Sequence, residues 1–427
     1  MRAGNRIRKG VWIAGLFILL LAAACAAVYY CGSMIADAHT ISRLNGSVQF
    51  GHSSPDMESF EADGDLIALS DLLNYTGSYA NLSSHYYKKA LNRSEGQGGM
   101  MVYNAILYAL DHGFSFISVP ADTCPSEILS KIVYYAVFDQ PMMEENTVLG
   151  LTGGALTYQE KTLQRYYIFL PTNDTEHLDY KKQALEKARE IVGNMPASNG
   201  TELEKARYLY NWLVENVRYT EDQNYNESKP HYLYDTLLRG ETNCDGFSNA
   251  FTLLLNLCGV ECFNVGNDVQ SEEDVGHTWN VMKIGGVYFQ ADPTAESSLY
   301  KATGENLYLY FCLSAGALGN GEYEELIRDV APVCSDTRHD LDAVDVFVEG
   351  LGRANKDLPE MRAAIERLEE GASHIIIRCD AFADAGWENS LKAAEAWFSD
   401  CKVVVTLVRA GQQYCVVFRG DVTGRLP

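Results

Sequence analysis

The chain has 427 residues, more than one ordinary hydrophobic core needs, so two or three folded units are predicted. Hydrophobic residues make up 47% and charged residues 21% of the chain, a composition that excludes wholesale disorder. The formal net charge of −23 argues against nucleic acid as a partner, because a negative field repels the phosphate backbone.

The first predicted element is a membrane-spanning helix. Four basic residues, the last of them Lys9, precede an uncharged stretch from Val11 to Cys31. About 20 apolar residues span a bilayer, whereas a cleavable signal peptide has a shorter apolar region. We therefore expect residues 1–34 to form an uncleaved signal anchor of a single-pass protein, with the C-terminal body outside the cytoplasm. The alternatives are a secreted protein or a lipoprotein with Cys25 at its cleavage site, although the position three before Cys25 is Ala, where a lipobox usually has Leu.

Composition and periodicity divide the rest of the chain into four parts. Residues 35–95 are rich in Ser, Asn, Tyr and Gly without sustained periodicity, which indicates a stalk or partly ordered linker. Residues 96–195 alternate predicted helices and strands and read as a small α/β domain. A capping-box pattern begins the next domain, 196–330, and a further small α/β domain follows at 340–427. The order of elements in the two small domains is similar, which indicates either a degenerate duplication or a coincidence between common units.

The cysteine count gives weak support to a reactive thiol. Nine of the eleven cysteines follow the predicted anchor, and an odd number in an oxidising compartment leaves at least one thiol unpaired. No CxxC pair occurs, which argues against a zinc ribbon. No acidic loop has calcium-ligand spacing, so neither a metal nor another cofactor is predicted.

Cys244 is the first candidate catalytic residue. It opens a segment, 244–258, whose apolar residues recur at helical spacing and end before Gly259. Thr242 or Asn243 can cap this helix, so the thiol lies in the first turn, where free N–H groups and the helix dipole stabilise a thiolate. A cysteine at the start of an apolar helix is more often structural, so this position alone does not establish a nucleophile.

His277 and Asp292 lie on two predicted strands joined by a Gly-Gly turn at 285–286. The register of such a turn, counted outward, places Asp292 opposite Trp279 and diagonal to His277 on the same face. In this geometry a carboxylate orients and stabilises an imidazole that serves a nucleophile. Taken singly, a strand histidine or an aspartate before proline would be structural.

Three motifs together resemble the transglutaminase-like superfamily. They are Cys244, the His-x-Trp-Asn sequence at 277–280 and the Asp-Pro-Thr sequence at 292–294. The resemblance extends over residues 201–317 and includes 308–311, which resembles the strand after Asp-Pro-Thr in this family. It implies an α+β fold with a papain-like core, here flanked by the small α/β domains and preceded by the transmembrane helix, as in a bacterial-type, membrane-anchored member.

The resemblance also implies roles for the site residues. Cys244 would attack an amide carbonyl, His277 would accept and donate the proton, and Asp292 would hold the imidazole, which makes these three the catalytic triad. Trp279 is a candidate substrate-binding residue. Asp245 departs from many bacterial relatives, which have an uncharged polar residue there, and its carboxylate could raise the pKa of the adjacent thiol.

The implied function is that of an extracytoplasmic cysteine enzyme acting on peptide or protein amides through a thioester, with cell-envelope material as a further possible substrate. The acyl group would pass to water, as in a peptidase, or to an amine, as in a crosslinking acyltransferase, and the sequence leaves both open. The alternative is a non-catalytic peptide- or cell-wall-binding scaffold, which would not need a complete triad. Deglycosylation of peptides ranks last, because the zinc cysteines of peptide N-glycanases are absent.

Overall fold

The protein is described by a computed structural model. The described residues are 47–51, 65–94, 96–142, 150–152, 165–170, 175–196, 200–220, 232–267, 276–348, 358–370, 372–379, 403–410 and 413–420. They form two compact units, the first from segments within 1–75, 97–129 and 148–172, and the second from segments within 76–96, 130–147 and 173–427. The membrane helix predicted at 11–31 lies outside the described residues. Among the residues that are described, no helix is long and apolar enough to cross a bilayer.

Helices and strands alternate along both units. The helices are α1 (Leu69–Leu72), α2 (Tyr86–Ser94), α3 (Gly96–His112), α4 (Leu129–Phe138), α5 (Thr175–Gly193), α6 (Glu202–Asn216), α7 (Tyr232–Tyr234, continued by a π-helical turn at Asp235–Arg239), α8 (Cys244–Leu257), α9 (Pro293–Thr303), α10 (Ala315–Leu318), α11 (Glu325–Arg328) and α12 (Pro359–Glu369). The strands are β1 (Ser47–Gly51), β2 (Asp65–Ala68), β3 (Phe116–Pro120), β4 (Gly150–Thr152), β5 (Arg165–Phe169), β6 (Arg218–Tyr219), β7 (Glu241–Thr242), β8 (Cys262–Gly266), β9 (Thr278–Ile284), β10 (Val287–Ala291), β11 (Val346–Val348), β12 (His374–Cys379), β13 (Val403–Ala410) and β14 (Gln413–Gly420). This mixed content agrees with the predicted α+β class.

An antiparallel sheet of order β2-β1-β3-β5-β4 organises the first unit. Strand β1 belongs to the segment 35–95, for which a stalk or partly ordered linker was predicted. Val48 and Phe50 lie two residues apart on one face of β1 and are fully buried. Because β1 pairs with both β2 and β3, this part of 35–95 belongs to the sheet of the first unit. The remaining predicted domain boundaries stay predictions.

Helix α8 lies at the centre of the second unit. Every residue from Gly246 to Leu255 is buried, so its polar residues Asn249 and Thr252 lie in the interior together with the apolar ones. The helix packs on the antiparallel sheet β10-β9-β8 and on helices α5 and α6. Helix α6 begins at the predicted capping box, in which Thr201 and Glu204 exchange side-chain and backbone hydrogen bonds.

A buried polar network joins α8 to strands β8 and β9. Thr252 Oγ1 donates to Asn264 Oδ1 over 2.7 Å, and Asn280 Nδ2 donates to Thr252 Oγ1 over 2.9 Å. Asn264 Nδ2 also donates to Asn249 Oδ1 over 2.6 Å. Removing one partner from such a network leaves a buried polar group unpaired at a cost of about 1–3 kcal/mol. The asparagine of His-x-Trp-Asn therefore holds β9 against the helix that carries Cys244.

The C-terminal residues form a sheet of order β11-β12-β14-β13, in which β11 runs parallel to β12 and the other pairs are antiparallel. Arg378 on β12 is buried and donates to the carbonyl oxygens of Ala317 and Asp340 over 3.0 and 2.6 Å. In the sheet of the first unit and in the C-terminal sheet, a helix precedes three strands along the chain. The strand that comes third in the sequence lies between the other two in the sheet, as β3-β5-β4 and as β12-β14-β13. This shared order favours the duplication hypothesis, although β1 is antiparallel to β3 whereas β11 is parallel to β12.

Candidate active site

Cys244 is the first residue of α8, as predicted, and it forms no disulfide. Asn243 caps the helix, because its Oδ1 accepts the N–H of Gly246 over 3.2 Å. Thr242, the other candidate cap, is buried on strand β7. A Cβ on Gly246 would lie 1.8 Å from Thr242 Oγ1, so this position requires glycine. The strand and the cap together fix the half-buried thiol at the positive end of the helix dipole.

The β9–β10 hairpin has the register that the Gly-Gly turn predicts. Ala291 pairs with Asn280, so the next step outward sets Asp292 opposite Trp279. His277 Nε2 lies 2.6 Å from Asp292 Oδ2. The imidazole and the carboxylate are therefore directly hydrogen-bonded, as the register alone indicated.

Asp292 is a buried carboxylate that accepts three hydrogen bonds, and its side chain is 1% exposed. Oδ1 accepts the N–H of Ala295 over 3.0 Å and thereby caps α9. Oδ2 accepts from His277 and, over 2.8 Å, from Asn320 Nδ2. Burial raises the pKa of Asp292, but His277 and these hydrogen bonds outweigh it and leave the pKa below its ordinary value. The side chain is therefore ionised at neutral pH.

His277 lies between Asp292 and Cys244. Nε2 bonds to Asp292, which leaves Nδ1 for Cys244, and both His277 and Cys244 line the same cleft. Burial lowers the pKa of His277, but Asp292 and Cys244 raise it by more, to about 10. The imidazole is therefore protonated at neutral pH, the form that stabilises a neighbouring thiolate. Asn267 Oδ1 accepts the backbone N–H of His277 over 2.6 Å and fixes the strand at this point.

Trp279 packs beside His277 and does not line the cleft. The indole is fully buried, its ring lies 5.9 Å from the imidazole with the planes 18° apart, and Tyr323 stacks on it at 6.0 Å. Its N–H donates to Gln290 Oε1 over 3.1 Å. This placement corrects the predicted substrate contact, because the indole has no exposed surface and its N–H is already used. Trp279 supports the imidazole instead.

Asp245 ties the nucleophile helix to the histidine strand. Its Oδ1 accepts from Thr278 Oγ1 over 2.8 Å. Ser248 Oγ lies 2.9 Å from the carbonyl oxygens of both Cys244 and Thr278. Burial raises the pKa of Asp245 by more than Thr278 and His277 lower it. The first turn of α8 and the first residue of β9 are thus held together directly beside the catalytic pair.

A cleft of about 370 Å³ opens beside Cys244 and His277. Two carboxylates line it, Asp245 and Glu324, together with the rings of Tyr134 and Phe138, which stack 4.0 Å apart. The described lining contains no lysine or arginine. The cleft can therefore accept one side chain with adjoining backbone, and its charge favours neutral or cationic groups.

Segment 307–310 replaces the strand that was predicted at 308–311. Glu296 Oε1 accepts the N–H of Tyr308 over 2.8 Å, and Oε2 accepts the N–H of Tyr310 over 3.0 Å. Tyr308 has a φ of 58°, in the left-handed region, which interrupts extended backbone. The carbonyl oxygen of Tyr310 accepts the N–H of Asp292 over 2.8 Å. The segment is therefore irregular and anchors the backbone of Asp292.

Asn320 is a site residue that the sequence analysis missed. The run Leu-Gly-Asn-Gly after α10 signals a turn, and Gly319 there has a φ of 70°. Asn320 nevertheless contacts Asp292 across 28 residues of chain. Neither spacing nor periodicity predicts such a contact from one sequence.

Comparisons with known proteins match the part of the chain that carries the triad. Residues 189–293 match the family model Transglut_core, the transglutaminase-like superfamily. Kyphoscoliosis peptidase of Homo sapiens is 28% identical over 154 residues, which cover 32% of this chain and 22% of that protein. The Mus musculus protein of the same name is 25% identical over 126 residues, 27% of this chain and 19% of that protein. The chain thus spans about a fifth of the length of these curated relatives.

A solved structure described as a TGase is also similar to this chain. The sequence identity is 16%, the TM-score is 0.22, and the match covers 31% of this chain and 42% of that one.

Proposed function

We propose that the protein is a cysteine enzyme acting on peptide or protein amides. Its residues 189–293 belong to the transglutaminase-like superfamily. The observation that carries the proposal is the arrangement of Cys244, His277 and Asp292. A thiol at the start of a buried helix shares a cleft with an imidazole, whose pKa it helps to raise, and a buried carboxylate lies 2.6 Å from Nε2 of that imidazole. A scaffold that only binds peptides has no physical need for all three groups.

The first half-reaction forms a thioester. The Cys244 thiolate attacks the amide carbonyl carbon, a C–S bond forms, and the carbonyl electrons move to oxygen. The backbone N–H of Cys244 has no acceptor within its helix and can donate to this oxyanion. His277 Nδ1 then gives its proton to the amide nitrogen, the C–N bond breaks, and the amine leaves. Asp292 keeps the ring oriented throughout through Nε2.

The second half-reaction regenerates the thiol. The neutral His277 removes a proton from water or from an amine, and the resulting nucleophile attacks the thioester carbonyl. Collapse of the second tetrahedral intermediate breaks the C–S bond, so Cys244 leaves as a thiolate beside the His277 imidazolium, which holds the proton taken from the acceptor. Water gives a carboxylic acid, and an amine gives a new amide.

Hydrolysis is the first candidate outcome, because both curated relatives are named peptidases. Acyl transfer is the second candidate, because Asp245 and Glu324 line the cleft, and carboxylates attract a primary ammonium group. The two outcomes share the thioester and differ only in the acceptor.

We also propose that residues 11–31 anchor the protein in a membrane and that the body lies outside the cytoplasm. The support is the uncharged N-terminal stretch and the basic residues before it. Peptides or proteins of the cell envelope would then be within reach of the cleft.

The test uses the reactivity of Cys244 in the full chain. Iodoacetamide is added at pH 6, and alkylation is quantified by mass spectrometry of the peptides that contain Cys244 and Cys258. Cys258 is a matched internal control, because it caps the opposite end of α8 and burial raises its pKa. We expect Cys244 to react at least tenfold faster than Cys258, and His277→Ala to remove the difference. Equal rates in the wild type would refute the proposal.

The two outcomes are separated with a glutamine-containing protein and a fluorescent primary amine. Incorporation of the amine identifies acyl transfer, and release of peptides identifies hydrolysis. Cys244→Ala is the control, and it should abolish whichever activity is found.

A further inference from the structure

Glu296 is a buried carboxylate that the proposed chemistry does not use. It lies one turn after Asp292 on α9, and none of its side chain is exposed. A carboxylate in such a place is costly unless hydrogen bonds replace its lost hydration. The bonds that Glu296 makes therefore indicate why it is there.

The carboxylate gathers the backbone N–H groups of one short segment. Oε1 accepts from Leu307 and Tyr308, each over 2.8 Å, and Oε2 accepts from Tyr310 over 3.0 Å. The left-handed conformation of Tyr308 turns successive N–H groups toward one point, as in the backbone concavities that bind anions. Here the anion is a side chain of the same protein.

The same groups hold both backbone polar atoms of Asp292. The carbonyl oxygen of Tyr310 accepts the N–H of Asp292 over 2.8 Å. The hydroxyl of Tyr210 donates to the carbonyl oxygen of Asp292 over 3.2 Å, and this buried hydroxyl also interacts with Glu296. Glu296 thus bonds to Tyr310 and lies close enough to Tyr210 to raise the pKa of its hydroxyl, and these two residues fix the peptide groups on either side of the Asp292 side chain.

We propose that Glu296 is a positioning residue that sets the orientation of Asp292 and, through it, of His277. The inference rests on the proposed function, because orientation of the imidazole matters only if Cys244 is a nucleophile. A purely structural carboxylate would change stability without changing the reactivity of the thiol.

The ionised carboxylate is the form that fits its surroundings. The hydrogen bonds that Glu296 accepts come from backbone N–H groups, and the nearby Tyr210 hydroxyl is also a donor. A proton on Glu296, or the amide of Glu296→Gln, therefore turns one acceptor into a donor that faces other donors. Burial raises the pKa of Glu296 to about 7 against the opposing effect of these N–H groups. Protonation below pH 7 should therefore loosen the segment 307–310.

The titratable groups around Glu296 come from each element packed against it. They are Tyr210 on α6, Tyr310 in the segment, Cys415 on β14 and Asp292. The pKa values of the two tyrosines and of Cys415 are raised, chiefly by burial, and these groups stay neutral across pH 5–8. Asp292 stays ionised there, because its pKa is lowered. A change in reactivity near pH 7 that disappears in E296Q is therefore assigned to Glu296.

The experiment measures the rate of Cys244 alkylation by iodoacetamide between pH 5 and 8 in the full chain. Wild type, E296Q and Glu215→Gln are compared, and Glu215 is a matched control because it is exposed on α6. We expect the wild-type and E215Q rates to fall severalfold as the pH drops through about 7. In E296Q the rate should lie at the lower level throughout, with no step.

Four outcomes are distinguishable. A step near pH 7 in wild type that is absent from E296Q supports the inference, and identical profiles in the two overturn it. A wild-type Cys244 that reacts like an ordinary thiol overturns the proposed function itself.

If E296Q does not fold, Glu296→Asp takes its place, because the aspartate keeps the charge but its side chain is shorter by one methylene group. A folded E296D with wild-type rates overturns the inference, and slowed alkylation supports it.

Discussion

Replacing Asp292 with asparagine should disable the site while leaving its shape nearly unchanged. The new amide can keep the hydrogen bond from Ala295 only through its oxygen, which turns its NH₂ group toward His277 Nε2 and Asn320 Nδ2. Both of those nitrogens are donors. The imidazole must therefore adopt the other tautomer, with its proton on Nδ1, and it then has no lone pair facing Cys244.

The size of the expected loss of activity in D292N follows from the electrostatics of the buried His277–Asp292 pair. The rise of the His277 pKa from 6.5 to about 10 corresponds to about 5 kcal/mol in favour of the imidazolium, at about 1.4 kcal/mol per pH unit. Asp292 is the first of the groups that raise this pKa, against the lowering effect of burial. Without its charge the proton returns to the sulfur at neutral pH. By comparison with other triads, kcat should fall by roughly 10³ to 10⁴.

The assay is the pH dependence of Cys244 alkylation by iodoacetamide, with the folded state checked by circular dichroism. The wild-type rate should vary by less than tenfold between pH 5 and 8. An ordinary thiol with a pKa near 8.5 loses roughly tenfold for each pH unit below that value, and D292N should follow this steep line. A folded D292N whose rate is as flat as that of the wild type would refute the reasoning.

Three further predictions concern the support of the triad. Asn320→Ala removes a hydrogen bond to the ionised Asp292 and should lower kcat by about tenfold at unchanged KM, whereas an unchanged kcat would show that the bond is dispensable. Gly246→Ala forces a Cβ against Thr242 and should lower the free energy of unfolding in urea by about 1–3 kcal/mol, and unaltered stability would contradict the contact. Because the pKa of His277 is raised in the folded state, its contribution to stability is complete below pH 6.5 and is lost as the pH rises through about 10. Because the pKa of Asp292 is lowered, its contribution is lost as the pH falls below 3.8. Urea unfolding from pH 3 to 10 should show both declines, and His277→Gln should flatten the alkaline one.

The pairing of His277 with Asp292 could be predicted from the sequence because local rules set its geometry. Gly285 and Gly286 have φ values of 59° and 82°, as a turn with two left-handed residues requires, and such a turn fixes the register of the strands on either side. That register is sufficient to bring Asp292 beside His277. The position of Cys244 likewise follows from the cap and the apolar period of one helix.

The residues that the sequence analysis missed lie in irregular segments, where no period or turn type fixes what they contact. Asn320 reaches Asp292 from a turn after a helix of four residues. Segment 307–310 looks like an aromatic strand, but the buried Glu296 accepts three of its N–H groups, which are then not free for a neighbouring strand. Trp279 was misassigned for a different reason, since alternation gives the face of a strand residue but not whether another element covers that face.

The central claim is that Cys244 and His277 form a thiolate–imidazolium pair held by Asp292. The most direct test is the ultraviolet absorbance of the thiolate near 240 nm, taken as the difference between wild type and Cys244→Ala from pH 4 to 10. Such a pair should give a thiolate signal that is already present at pH 6 and disappears in D292N at that pH. A difference signal that first appears near pH 8.5 in the wild type would contradict the account.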